Sequence, residues 1–142
     1  MQIFPKDNIC LAQVCQSKNE AITLAGQILV RNHYVVDAYV EDMLLREADI
    51  STYIGNNVAI PHGLVTSEDK ILASGISLVQ VPAGVEFDGE RVYLVFGIAG
   101  KNNEHLAILG KIAQVCSDLR NIELLSHTQS KDEILTLFQE VI

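Results

Sequence analysis

The segment Arg91–Ala99 constrains the fold most, because from Val92 onward no side chain in it is charged and nearly all are apolar. A strand with one face in water alternates apolar and polar residues, whereas a strand covered on both faces is apolar throughout. Asp88-Gly89 separates this segment from Val85-Glu86-Phe87, a spacing typical of a two-residue β-hairpin. The strand is therefore expected in the middle of a sheet that helices cover on both sides.

Two helices are predicted in the first third of the chain. Ser17-Lys18-Asn19-Glu20 has the form of a capping box, and apolar residues follow it at helical spacing to about Asn32. Asp37 is a candidate cap for the next helix, and Arg46 falls in its last turn, where the helix dipole favours a cation. The apolar stripe of this second helix consists of Val40, Met43 and Leu44.

Further elements follow the middle of the chain. Ile76–Val81 has the residues of a strand, and Pro82-Ala83-Gly84 has the chemistry of a turn. Asn102 or Asn103 is a natural N-cap for a helix with His105 in its first turn. The apolar face predicted for that helix consists of Leu106, Ile108, Leu109, Ile112, Ala113, Val115 and Cys116.

A second capping box, Ser130-Lys131-Asp132-Glu133, predicts a final helix. Its apolar residues are Ile134, Leu135, Leu137, Phe138 and Val141. With 142 residues, of which 49% are hydrophobic, the chain fits one domain over residues 1–142. Alternating helices and strands with short connections favour an α/β layered architecture.

Charge and composition exclude several function classes. The net charge of −8 and the pI of about 4.8 argue against a nucleic-acid partner, which rewards basic grooves. The N-terminus lacks a signal-peptide pattern and no apolar run reaches about eighteen residues, so a cytoplasmic protein without membrane insertion is expected. The three cysteines, Cys10, Cys15 and Cys116, form no C-x-x-C pair and are expected to be buried thiols.

The best candidate for chemistry is His62, in the segment Pro61-His62-Gly63 at the end of a strand-like run. Proline has no N–H and is expected to end the ladder, and glycine lets the chain turn or a ligand approach the backbone. The imidazole is then expected to be exposed. A neutral ring nitrogen attacks phosphorus or binds a metal near physiological pH. From spacing alone, a turn histidine without a chemical role explains the pattern equally well.

A wider pattern carries a family resemblance. The segment 51–63, with Arg46-Glu47 before it and Gly97–Leu106 after it, resembles the enzyme IIA domain of the mannitol/fructose class in the bacterial phosphoenolpyruvate-dependent sugar phosphotransferase system. The sequence Gly-Lys-Asn-Asn-Glu-His at 100–105 is more similar to the mannitol members than to the fructose members. The resemblance covers nearly the whole chain and implies a single α/β domain, a mixed β-sheet flanked by helices on both faces. Leu64 departs from the family, in which threonine often follows the His-Gly pair.

The resemblance implies a phosphoryl relay. His62 would accept a phosphoryl group on Nε2 from the phosphocarrier HPr and pass it to a cysteine of enzyme IIB, the partner of the membrane component IIC. The matching Arg46 and His105 would line the active site, where a guanidinium fork suits phosphoryl oxygens and a histidine can donate a hydrogen bond. Nδ1 of His62 must then keep its proton through an acceptor that the sequence does not identify. Neither a metal nor a cofactor is required.

Several other residues have weaker cases for a role in this site. Ile60, Leu64 and Val65 are candidates for an apolar rim, although core packing explains the same residue types. Glu47 and Glu104 are minor candidates for orienting a histidine. Asn56 and Asn57 fit a turn. His33 and His127 lie near predicted helix C-termini, where the dipole suffices as an explanation.

Two alternatives to the relay stay open. A regulatory protein of the same fold would use the phosphorylation state of His62 to control partner proteins. A metal-dependent hydrolase using His62 and His105 is a poor fit, because no Asp or Glu accompanies them at ligand spacing.

Overall fold

The computed structural model describes residues 1–139, which form a mixed β-sheet between two layers of helices. The strands are β1 (Ile9–Cys10), β2 (Tyr53–Gly55), β3 (Val58–Ala59), β4 (Gly75–Phe87) and β5 (Glu90–Ala99). The helices are α1 (Lys18–Arg31), α2 (Ala38–Asp49), α3 (His105–Cys116), α4 (Leu119–His127) and α5 (Lys131–Phe138). Short 3₁₀ turns occupy Lys6–Asn8, Val65–Lys70 and Lys101–Asn103. Val141, predicted on the final helix, lies outside the described residues.

The strand order is β1-β4-β5-β3-β2, so β5 is central, as predicted. It pairs antiparallel with β4 and parallel with β3, while β1 pairs parallel with β4 and β2 antiparallel with β3. The sheet is therefore mixed. None of the helices within residues 1–139 combines the length and the hydropathy needed to cross a bilayer.

The two faces of β5 contribute to two separate hydrophobic cores. Leu94, Phe96 and Ile98 join the core under α3, α4 and α5. Val95 and Ala99 face the other way, into the core that α1 and α2 cover. Each of these five side chains is fully buried, and burying a large apolar side chain stabilises the fold by about 1.5–3 kcal/mol. The prediction of a strand covered by helices on both faces is confirmed.

The β4–β5 hairpin turns at Asp88-Gly89, as predicted, with Phe87 paired to Glu90. Asp88 has φ 51° and Gly89 has φ 91°. Left-handed values at both central residues are those of a type I′ turn, whose twist matches that of the strands it joins.

The turn predicted at Pro82-Ala83-Gly84 is wrong, because these residues lie inside β4. The regular pairing with β5 is interrupted there: Gln80 pairs with Leu94 and the next pair is Val85 with Val92. Proline has no N–H to give to the ladder, and Gly84 takes φ +85°. The turn-forming residues therefore make a bulge within one long strand.

The two capping boxes are confirmed at their serines. Ser17 Oγ accepts from the backbone N–H of Glu20 at 3.1 Å, and Ser130 Oγ accepts from that of Glu133 at 3.2 Å. The Glu20 carboxylate accepts from the N–H of Gln16 at 3.0 Å, one residue before the cap. Both helices thus begin where their sequences indicate.

The other two predicted caps are wrong. Asp37 precedes α2 but already has helical backbone angles, and its carboxylate makes no capping hydrogen bond. Asn102 and Asn103 have φ 56° and 67°, and Glu104 stands before α3 without a side-chain cap. Asparagine tolerates the left-handed region, so here the pair forms a tight turn instead of a cap. Along α3, Leu106 and Ala113 were predicted on the apolar face but are exposed.

The cysteines are free thiols. Cys15 and Cys116 are buried, as predicted, whereas Cys10 is only half-buried. Burial raises the pKa of Cys116 to about 12. A thiol that stays protonated is a poor nucleophile.

Candidate active site

His62 lies just beyond β3, where the chain continues beside the central strand. Pro61 does not end the ladder as predicted, because its carbonyl still accepts from the N–H of Ile98 at 3.0 Å, and His62 bridges Ile98 in parallel. Proline lacks a donor but keeps its acceptor. This pairing holds the histidine against β5, and its side chain is half-buried, not exposed as predicted.

The backbone selects the tautomer of His62. Its Nδ1 lies 2.9 Å from the carbonyl oxygen of Ile60. A carbonyl only accepts, so Nδ1 carries the ring proton and Nε2 keeps a free lone pair. The acceptor that the sequence did not identify is therefore the main chain two residues earlier.

The electrostatics keep this ring neutral. Burial lowers the pKa of His62 below its ordinary 6.5, and the positive charge of Arg46 and the electrostatic effect of His105 lower it further. The hydrogen bond to Ile60 and the charge of Glu47 act in the opposite direction but do not cancel the shift. Near neutral pH the imidazole is therefore uncharged and nucleophilic.

The three site residues predicted from the sequence line one cavity of about 230 Å³. Arg46 comes from α2, His62 from the segment after β3 and His105 from the start of α3. The other lining residues are Tyr39, Gly63, Leu64, Val65, Glu68, Ile71, Gly100 and Asn103. A half-buried imidazole and a guanidinium around one small cavity suit an anion about the size of a phosphoryl group.

Arg46 is held by the residue that directly follows its own helix. It lies in the last turn of α2, as predicted, and its Nη1 donates to the carbonyl of Ile50 at 2.7 Å. The guanidinium has five N–H donors, so this bond leaves others for a ligand in the cavity. The side chain is half-buried and still lines the cavity, so the bond to Ile50 anchors the guanidinium at the site.

His105 is the first residue of α3, and the preceding loop holds it in place. Ser74 Oγ accepts from the N–H of Lys101 at 2.8 Å, and Lys101 Nζ donates to the carbonyl of Ile71 at 2.9 Å. A Cβ at Gly100 would stand 2.3 Å from the backbone nitrogen of His105. Only glycine permits this close approach, which sets where the helix begins.

Sequence reasoning missed Tyr39, which is 2% exposed and lines the cavity. Its hydroxyl accepts from the N–H of Gly63 at 2.9 Å and donates to the carbonyl of Ile98 at 2.7 Å. Burial raises the pKa of this phenol to about 12. An aromatic residue on a helix that packs against the sheet indicates core, so its position gave no signal of these bonds.

Sequence reasoning also missed a polar network under the segment that follows His62. Lys70 Nζ and Ser67 Oγ both donate to Asp42 Oδ2 at 2.7 Å, and Ser67 Oγ accepts from the N–H of Leu64 at 2.9 Å. Burial raises the pKa of Asp42, but the hydrogen bonds from Lys70 and Ser67 outweigh it and hold the pKa below its usual value. The ionised carboxylate ties this segment to α2.

Within residues 1–139, neither minor candidate makes a side-chain hydrogen bond to a histidine. Glu47 is buried and accepts from the N–H and the hydroxyl of Thr52. Glu104 accepts from Ser74 Oγ at 2.8 Å. Both carboxylates thus bind neighbouring segments of the chain.

The predicted rim is partly correct. Leu64 and Val65 line the cavity, and Val65 is fully exposed. Ile60 is wrong as a rim residue, because it is buried in the core under α3, α4 and α5. Its side chain packs inward while its carbonyl serves His62.

The remaining candidates lie away from the cavity lining. His33 follows α1 and His127 is the last residue of α4. Asn56 and Asn57 have φ 52° and 66° and form the turn between β2 and β3, as predicted.

The fold and the cavity define an α/β domain that presents a neutral histidine and an arginine beside the C-terminal end of the central strand of a mixed sheet. The chain belongs to the family described as phosphoenolpyruvate-dependent sugar phosphotransferase system, EIIA 2, whose model matches residues 2–141. It is thus a phosphotransferase component, and the resemblance seen in the sequence is confirmed.

Individual relatives agree with this assignment. The chain is 52% identical over 142 residues to the mannitol-specific phosphotransferase enzyme IIA component of Geobacillus stearothermophilus, covering 99% of this chain and 98% of the relative. It is 49% identical to the component of the same name from Bacillus subtilis, covering 99% of each. Among solved structures, it is similar to the complex of enzyme IIA-mannitol and phosphorylated enzyme IIB-mannitol from Escherichia coli. That match has TM-score 0.91 and 39% identity, and it covers 97% of this chain and 99% of the other.

Proposed function

We propose that residues 1–142 act as the enzyme IIA relay of a mannitol transporter. Nε2 of His62 accepts a phosphoryl group from phosphorylated HPr and passes it to a cysteine of enzyme IIB, which serves the membrane component IIC. The relay works in the cytoplasm, where these partners exchange the group. The mannitol-specific names of two relatives near 50% identity support the choice of sugar.

One observation carries the choice of acceptor atom: the hydrogen bond between Nδ1 of His62 and the carbonyl of Ile60. It leaves the lone pair of Nε2 free to attack phosphorus. As the new N–P bond forms, the bond between phosphorus and the ring nitrogen of HPr breaks, and its electron pair returns to that ring. The proton on Nδ1 of His62 stays in place throughout.

Arg46 and His105 stabilise the group during transfer. In phosphoryl transfer the negative charge spreads over three equatorial oxygens, so the protein acts mainly by positioning and electrostatics. The free N–H groups of Arg46 bind those oxygens in a planar fork, and His105 donates a further hydrogen bond. Both residues line the same cavity as His62.

Partner approach is supported by the surface beside the cavity. Val65 is fully exposed and Leu106 is 69% exposed, on the two segments that flank His62 and His105. Such exposed apolar side chains suit brief docking of two successive partners, which bury less area than permanent complexes. The solved complex of the relative from Escherichia coli contains phosphorylated enzyme IIB.

The decisive experiment is phosphorylation by a reconstituted donor chain. With phosphoenolpyruvate, enzyme I and HPr, the chain should take up one phosphate that is stable to base and labile to acid. His62→Ala should take up none, whereas His33→Ala and His127→Ala, which alter histidines outside the cavity, should be labelled normally. Peptide mapping that places the phosphate on another residue would overturn the assignment.

Transfer onward separates the relay from a regulatory role. The phosphorylated chain should lose its phosphate to the cysteine of a mannitol-type enzyme IIB faster than to that of a fructose-type one. If it phosphorylates neither, its phosphorylation state serves regulation and the relay is wrong. Preference for the fructose-type partner would correct the sugar alone.

A further inference from the structure

A side-chain hydroxyl mediates one of the hydrogen bonds that pair the segment around His62 with β5. In a parallel pairing, one residue bonds through its N–H and its C=O to the two neighbours of the residue opposite. The N–H of Ile98 makes the first of these bonds directly, to the carbonyl of Pro61 at 3.0 Å. In the second, the hydroxyl of Tyr39 stands between the N–H of Gly63 and the carbonyl of Ile98.

We propose that Tyr39 is a positioning residue for phosphoryl transfer, whose hydroxyl holds the main chain on the far side of His62 and so sets the direction of the imidazole. The inference rests on the proposed function. Pro61 and Gly63 flank His62, and both are held to the same residue of β5, one directly and one through Tyr39. The histidine is therefore fixed from both sides.

The geometry of Gly63 explains why the hydroxyl fits there. A Cβ at this position would lie 2.5 Å from Cε1 of Tyr39, so the ring occupies the space that a side chain would need. An inserted oxygen also separates Gly63 from Ile98 by more than a direct hydrogen bond would. The chain leaves the sheet at this point, and the cavity opens beside it.

The link is also hard to replace. The hydrogen bonds on both sides of the hydroxyl are buried. Without the hydroxyl, a buried N–H and a buried C=O would both lose their partner, which is costlier than losing one exposed bond. The main chain around His62 would then shift to recover those bonds.

The test is Tyr39→Phe, with Tyr34→Phe as the matched control. Tyr34 is also 2% exposed, and its hydroxyl donates to the carbonyl of Gln2; neither residue is part of the cavity lining. In single-turnover phosphorylation by phosphorylated HPr, Tyr39→Phe should be about tenfold to a hundredfold slower, the loss that small misplacements cause. The HPr concentration at half-maximal rate should stay unchanged, and Tyr34→Phe should react as the wild type does. Equal rates for both variants would overturn the proposal.

A second measurement follows the ring without any partner. Nitrogen-15 NMR of His62 should show the proton almost wholly on Nδ1 in the wild type and in Tyr34→Phe, and shared with Nε2 in Tyr39→Phe. An unchanged tautomer in Tyr39→Phe would refute the positioning role. If the wild type accepts no phosphate from HPr, the proposed function fails, while this spectrum still decides the role of Tyr39.

A third measurement covers the case in which Tyr39→Phe does not fold. In the wild type, the phenolic proton of Tyr39 should exchange slowly and show a through-space contact to the amide of Gly63. A rapidly exchanging phenolic proton, or a Gly63 amide that exchanges like an exposed one, would contradict the inserted hydroxyl.

Discussion

Two substitutions of Arg46 distinguish the effect of its positive charge from the effect of its planar shape. Arg46→Gln removes the positive charge that contributes to the low pKa of His62, so that pKa should rise. Hydrogen bonds to charged groups contribute about 1.5–3 kcal/mol. At about 1.4 kcal/mol for each factor of ten, losing the fork to the phosphoryl oxygens should slow phosphorylation about tenfold to a hundredfold.

The variant should still fold. Losing the bond from Arg46 to the carbonyl of Ile50 costs about 1 kcal/mol, and losing the favourable dipole contact costs about 0.5 kcal/mol more. Both are small beside a typical unfolding free energy of about 5–15 kcal/mol. A urea titration should therefore show a modest loss of stability and a complete native baseline.

Arg46→Lys keeps the charge but not the planar fork. The pKa of His62 should then stay close to that of the wild type, while phosphorylation remains slow. Rapid-quench phosphorylation and NMR titration of His62 measure the two effects, with Arg31→Gln as the control. Arg31 lies in the last turn of α1, outside the cavity lining. If Arg46→Gln reacts within twofold of the wild type, or its His62 titrates at lower pH, the reasoning about Arg46 is refuted.

Three further predictions follow from other features. Because the pKa of His62 is lowered, the phosphorylation rate should hold down to pH 6.5 and fall only below it. A rate already halved above pH 6.5 would contradict this pH dependence. Stability should also fall as pH drops from 6.5 toward that lowered pKa, since the unfolded chain binds a proton that the folded ring does not. Gly100→Ala should destabilise the fold by more than about 2 kcal/mol, because its Cβ meets the backbone of His105. Gly110→Ala, with open space inside α3, should instead stabilise it by about 0.5–1 kcal/mol in urea titrations; equal effects would refute the close approach. Ser17→Ala should cost about 1 kcal/mol in the same assay through loss of the α1 cap, and no loss would mean that the cap contributes nothing.

The predictions that held depend on interactions between neighbours in the chain. The hairpin at Asp88-Gly89 and the caps at Ser17 and Ser130 follow from backbone chemistry within a few residues. The central position of β5 follows from burial on both faces, which is visible in the sequence because nearly all residues of the strand from Val92 onward are apolar.

The predictions that failed depend on partners distant in sequence. Pro82–Gly84 has turn residues, but pairing with β5 keeps it in a strand and turns it into a bulge. Asn102 and Asn103 can either cap a helix or take left-handed angles, and the bond from the N–H of Asn102 to Glu68 accompanies the second choice. Local propensity is a weak guide wherever such tertiary contacts compete.

The site was predictable only in part for the same reason. Spacing drew attention to His62, but the choice of Arg46 and His105 came from the family resemblance, since nothing local relates residues so far apart. The carbonyl of Ile60 and the hydroxyl of Tyr39 become visible only when the chain is folded. A sequence pattern specifies side chains, whereas these two contacts depend on main-chain placement.

The length of β5 separates two ends of the molecule. The cavity lies beyond its last residue, Ala99, and the hairpin tip at Asp88-Gly89 lies before its first, Glu90. Ten residues at about 3.4 Å each put these ends roughly 30 Å apart. A fluorophore, a tether or a whole fused protein attached at Gly89 would therefore leave the approach to His62 open, which makes the hairpin tip a suitable attachment point for single-molecule measurements of partner binding.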